Sequence, residues 1–168
     1  NFWEHLAANE ITPFMDLVDL SERILGRKVA EISFLAGGLT NKSFKIVYDD
    51  GKKVVMRLAG AGTGEYIDRS AEKYNATKMG GLGIAPEVYF FDEKTGSQIS
   101  EFIELPTCHL EDFQKNKDVV SKAAKLVRMY HTSGIQFKGA MDPVQGIKDY
   151  VKILEDKGFD ERDRKSVV

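Results

Sequence analysis

The chain has one cysteine, Cys108, in 168 residues, so no intrachain disulfide can form. No apolar run is long enough to span a bilayer as a helix, and no secretory leader pattern is present. Neither sign of charge dominates. Lysine and arginine total 24 against 26 aspartates and glutamates, a formal net charge of −2. The two signs are interleaved, leaving neither a positive face for nucleic acid nor a polybasic membrane patch. The expectation is a soluble cytoplasmic protein, with no nucleic acid or membrane as partner. There is also no methionine at the start: the sequence opens at Asn1 and ends in the charged segment Lys165-Ser166-Val167-Val168. Both ends are expected to be cuts in a longer chain.

Apolar periodicity supplies the elements. Thr12-Pro13 reads as a helix N-cap followed by proline, and Phe14, Leu17, Val18, Leu20, Ile24 and Leu25 recur at helical spacing up to Gly26. From Val29 the period becomes two. Ile32 and Phe34, then Phe44, Ile46 and Tyr48, alternate as half-buried strands do. Asp50-Gly51 signals a type I′ hairpin between Phe44–Tyr48 and Val54–Leu58. Counting out from that turn sets Phe44 opposite Arg57 and Ile46 opposite Val55, with all four on one face.

The glycine-rich bend 60–64 leads to a helix from about Tyr66 to Met79 that closes at Gly80-Gly81. Two strands follow, Glu87–Phe91 and Gln98–Ile103. Beyond Leu105-Pro106 the pattern is helical, with Val119 to Tyr130 on one amphipathic helix and Ile147 to Leu154 on another capped by Asp142-Pro143. This order predicts an α+β lobe, residues 1–105, feeding a helical lobe, 106–168, with the hinge at Pro106.

Gly37-Gly38-Leu39-Thr40-Asn41 lies between two strand runs, where glycines let backbone approach an anion; taken alone, a glycine pair between strands is more often just a turn. Arg57 interrupts the apolar run 54–58, and a guanidinium there needs a partner. Glu72 on the next helix is one candidate. The alternative leaves Arg57 at a sheet edge facing water while Glu72 pairs with Arg69. A Rossmann turn at Gly60-x-Gly62-x-Gly64 fits poorly, because the Asp50-Gly51 hairpin makes the preceding strand antiparallel and Glu65 would stand where a pyrophosphate arrives.

Taken in order, Gly37 to Phe44, Val54-Val55-Met56-Arg57-Leu58, Arg69-Ser70-Ala71-Glu72, Gly83-Ile84-Ala85-Pro86-Glu87 and Ser100 to Glu104 resemble the choline/ethanolamine kinases, bacterial choline kinases especially. These are relatives of the aminoglycoside phosphotransferases with a protein-kinase-like fold. The resemblance runs from about Val29 to Tyr150.

It implies a parent enzyme that uses ATP and Mg2+ to phosphorylate the hydroxyl of choline or ethanolamine. Gly37, Gly38, Leu39, Thr40 and Asn41 would cover the ATP phosphates. Arg57 would stand where most kinases have lysine and would hold phosphate oxygens, positioned by Glu72. Val55 would pack on adenine, with Glu101 and Ile103 offering backbone groups to its edge. His131 matches a structural element of the family.

No catalytic histidine-x-aspartate loop is recognisable. His5, His109 and His131 each lack an aspartate two places on, and Tyr66-Ile67-Asp68 precedes the hinge, where no magnesium ligand belongs. No catalytic or metal residue is therefore assigned. For the chain as given, weak ATP binding at most and no turnover are expected. Alternatives are an aminoglycoside, thiamine or sugar kinase of the same superfamily, or a non-catalytic nucleotide-binding pseudokinase module. The apolar faces of the late helices leave homo-oligomerisation open.

Overall fold

The computed structural model describes residues 2–38, 40–60, 62–65, 67–139 and 142–158. They fall into two units, Asn1–Lys138 and Gly139–Val168. The first unit carries a five-stranded antiparallel sheet: β1 (Val29–Leu35), β2 (Lys42–Tyr48), β3 (Lys53–Leu58), β4 (Val88–Phe91) and β5 (Gln98–Glu101), in spatial order β1-β2-β3-β5-β4. Its helices are α1 (Ala8–Leu25), α2 (Arg69–Gly81), α3 (Leu110–Lys115) and α4 (Lys117–Thr132). The second unit is described by α5 (Pro143–Asp156), whose first amides are capped by the Asp142 carboxylate.

Alternation in β2 and β3 gives the sheet two unlike faces. Phe44, Ile46, Tyr48, Val54, Met56 and Leu58 are buried, and Phe14, Leu17 and Val18 of α1 join them in one cluster with Ile99. Phe14 packs on Phe44 with ring centroids 4.6 Å apart. Each such side chain contributes about 1.5–3 kcal/mol by leaving water, so α1 seals this face. The opposite face carries Val55 and Arg57, with Ser43 and Lys45 beside them on β2 and Gln98 and Ser100 on β5.

The hairpin register differs from expectation by one residue. Arg57 pairs with Ser43, Met56 with Phe44 and Val54 with Ile46, so Phe44 and Ile46 lie on the face away from Val55 and Arg57. The turn has three residues, Asp49-Asp50-Gly51. Tyr48 N–H donates to Lys52 O and Gly51 N–H to Tyr48 O, each at 2.9 Å, with Gly51 at φ 83. A type I turn closed by a left-handed glycine adds one residue over the two-residue type I′ turn. Arg27 braces it through a 2.5 Å ion pair to Asp50.

Two helix starts also differ. α1 begins at Ala8, not at Pro13, which lies inside the helix. The N-cap residue Ala7 offers no side-chain cap, and the Glu10 carboxylate instead accepts from Ala7 N–H at 2.7 Å; Pro13, the sixth residue of the helix, cannot donate the i to i−4 bond that another residue would make there. α2 begins at Arg69 because the Asp68 carboxylate accepts from Ser70 and Ala71 N–H, both at 3.0 Å. Gly80 and Gly81 belong to its last turn. Tyr66 lies outside the described residues. β5 ends at Glu101, two residues before the expected Ile103, and α3 was not anticipated. No described helix is long and apolar enough to cross a membrane.

Candidate functional site

Arg57 projects from β3 on the face that α1 leaves uncovered. Its Nη2 donates to Glu72 Oε1 at 2.5 Å and to Gly96 O at 3.2 Å. The two side chains are only 20% and 23% exposed, so the pair is screened by water far less than a surface ion pair. Arg57 Nε is buried with no hydrogen-bond partner among the described residues. An orphaned buried N–H costs about 1–3 kcal/mol, and Arg69 Nε beside it is in the same state.

Glu72 has a second partner. Arg69 Nη1 donates to its other oxygen, Oε2, at 2.6 Å, so both pairings considered for Glu72 exist together. Burial pushes the Glu72 carboxyl upward, but the bonds from Arg69 and then Arg57, with their charges, outweigh it and hold the group below the ordinary glutamate range.

The glycine segment is tied to the far end of β3. Gly60 N–H donates to Asn41 Oδ1 at 3.1 Å. A Cβ at Gly60 would overlap Thr40 O, and one at Gly38 would overlap Asn41 O, so both positions require the absence of a side chain. Gly37 sits at φ 120, a conformation open to glycine. Leu39 lies outside the described residues.

At the other end of the sheet, Glu101 N–H donates to Glu87 O at 2.8 Å. Glu101 and Ile103 line a hollow of about 770 Å³ with Gly80, Ile84, Pro86 and Leu126; Arg57 and Val55 stand outside it. Gly80 abuts the strand-entry segment, since a Cβ there would lie 2.9 Å from Pro86 O.

The structure therefore joins Arg57 to Glu72 and Asn41 to Gly60, places Val55 on Arg57's side of the sheet, and sets Glu101 and Ile103 around a separate hollow. Three participants were not singled out from sequence. Gly60 was legible only as one glycine of a bend, Thr63, whose hydroxyl accepts from Arg69 Nη2 and donates to Gly60 O, carried no signal, and Gly96 read as an ordinary turn residue.

An antiparallel five-stranded sheet whose β3 arginine is gripped by a glutamate of the following helix defines an α+β lobe of the protein-kinase-like kind. Residues 32–167 match the choline/ethanolamine kinase family model, and the chain belongs to that family. It is 29% identical over 136 residues to the probable ethanolamine kinase B of Dictyostelium discoideum, covering 77% of this chain and 29% of that protein.

Among solved structures, the choline kinase LicA from Streptococcus pneumoniae superposes with a TM-score of 0.66 at 29% identity, over 80% of this chain and 47% of that one. LicA in complex with AMP gives 0.60 at 28% identity, over 79% and 47%. A choline/ethanolamine kinase family protein from Mesorhizobium loti gives 0.59 at 29% identity, over 74% and 40%. The chain thus spans less than half the length of these relatives.

Proposed function

We propose that the protein transfers the γ-phosphoryl group of ATP, with Mg2+, to the hydroxyl of choline or ethanolamine, and that this chain contributes the ATP-binding lobe. The observation that carries the reading is Arg57: a largely buried guanidinium, fixed by Glu72 at 2.5 Å, with Nε unsatisfied. A planar fork of donors suits phosphate oxygens. Gly38 and Gly60, with no room for a side chain, keep the backbone of Gly37, Gly38, Thr40 and Asn41 close enough to cover the phosphates. Val55 offers apolar surface to adenine, and Glu101, whose amide is taken by Glu87, offers its carbonyl. Ile103 supplies the next backbone group along the hinge.

The lobe boundary is placed at Pro106, giving residues 1–105 and 106–168, and the address is the cytoplasm. Among the described residues no three histidine, cysteine, aspartate or glutamate side chains converge as metal ligands, so no residue of this chain is assigned to Mg2+, which would bridge the nucleotide phosphates when bound. What this chain's own residues do is hold and orient phosphate oxygens in a site where positioning supplies most of the catalysis.

A coupled assay of the complete protein tests the reading. ATP consumption should depend on added choline or ethanolamine, and Arg57→Ala should lower it by about two orders of magnitude or more. Turnover with an aminoglycoside, thiamine or a sugar in their place would reassign the acceptor. ATP binding with no acceptor-dependent turnover would favour a non-catalytic module.

A further inference from the structure

Arg69 is the most buried charged side chain of this network, 7% exposed, and phosphate binding gives it no task. A charge so placed is costly unless its bonds are made; two of its nitrogens make them, and Nε has no partner among the described residues. Nη1 holds Glu72 Oε2 at 2.6 Å, and Nη2 donates to the Thr63 hydroxyl. That hydroxyl uses its own proton on Gly60 O at 2.7 Å, and Gly60 N–H reaches Asn41 Oδ1 at 3.1 Å. On the other side, Glu72 Oε1 holds Arg57. The result is an unbroken polar path from Asn41 through Gly60, Thr63, Arg69 and Glu72 to Arg57. Gly96 closes it: its carbonyl accepts from Arg57 at 3.2 Å, and a Cβ there would overlap the Arg69 guanidinium.

We propose that Arg69 is a positioning residue, buried between Glu72 and Thr63, which presents the glutamate to Arg57 and at the same time holds the Gly60 bend beneath the glycine loop. The inference rests on the reading of Arg57 and that loop as phosphate-contacting elements, and adds what keeps them in register. Each Glu72 oxygen is assigned to one arginine. Without Arg69 the carboxylate is free to turn both oxygens toward Arg57 and draw it from Gly96 O. Arginine suits the position because its donors diverge toward two acceptors, whereas a lysine ammonium is a single point charge.

NMR of the chain labelled with 13C at glutamate carboxyls and 15N throughout tests this without nucleotide, on Arg69→Met, Arg69→Lys and Thr63→Val. Arg69→Met should raise the Glu72 titration midpoint and shift both the Arg57 Nε–H and Gly60 amide signals. Arg69→Lys should return the Glu72 midpoint toward wild type while leaving Gly60 shifted. Thr63→Val should shift Gly60 alone. Lower thermal stability with the Arg57, Glu72 and Gly60 signals unmoved would overturn the proposal by reducing Arg69 to packing. If Arg69→Met does not fold, the other two variants decide by the same criteria. Should these signals respond as expected while Arg57→Ala leaves ATP affinity intact, the proposed function fails and the positioning stands. Should Arg57→Ala weaken ATP binding while the Arg69 variants leave the signals in place, only the positioning fails.

Discussion

Gly60 donates its amide proton to the Asn41 side chain at 3.1 Å, a bond that joins the end of β3 to the glycine segment between β1 and β2. Because a Cβ at Gly60 would collide with Thr40 O, Gly60→Ala must push that segment outward. Overpacking of this kind costs about 1–3 kcal/mol. ATP affinity of the complete protein should fall about tenfold or more, measured by titration calorimetry, with the far-ultraviolet circular dichroism unchanged.

Glu72 serves two guanidinium groups, so its removal should cost more than the loss of either arginine contact. Glu72→Ala should destabilise the fold by about 2–3 kcal/mol, below the figure for a fully buried pair because some solvent reaches it. Urea unfolding checks this. Arg57→Met combined with Glu72→Ala should cost less than the two single changes added together, because the first change removes a partner whose unpaired charge makes the second expensive.

The acid limb of stability has a defined sign. Burial raises the Glu72 carboxyl but the two arginines lower it further, so its folded pKa lies below the ordinary value of 4.5. Its contribution is therefore present above that value and is lost as pH falls through the folded pKa. In Arg69→Met the folded value moves up toward the unfolded one. Its urea midpoint should be lower at neutral pH and should change less on acidification than that of the wild type.

Gly51→Ala places a side chain at φ 83. Left-handed backbone costs a non-glycine residue about 1–2 kcal/mol, and thermal unfolding should show a loss of that size. The β2–β3 register should survive, since a one-residue slip would put the buried Phe44 and Ile46 on the opposite face from the buried Val54 and Met56.

What the sequence disclosed, and where it failed, follows from the range of each interaction. Strands β1 to β5, the capped start of α5 and the presence of α1 and α2 are local matters of periodicity, and they were legible. The Arg57–Glu72 pairing was legible as one of two alternatives, because a charge within an apolar strand needs a partner. The hairpin register was misread because Asp50-Gly51 fits both a two-residue and a three-residue turn, and only the whole pattern of burial separates them.

The start of α1 was misplaced because its N-cap is Ala7, which carries no capping side chain, while Thr12-Pro13 inside the helix has the pattern of a capped start. Gly60, Thr63 and Gly96 escaped notice because their roles lie in contacts across the fold, with Asn41, Arg69 and Arg57, that no local pattern announces.

Equilibrium binding of ATP and of adenosine to the complete protein and to its Arg57→Met variant, with Mg2+ present, tests the central claim most directly. The wild type should prefer ATP to adenosine, and Arg57→Met should abolish most of that preference while leaving adenosine affinity nearly unchanged. Equal affinities in the wild type, or a preference for ATP that persists in Arg57→Met, would contradict the assignment of Arg57 to the phosphates.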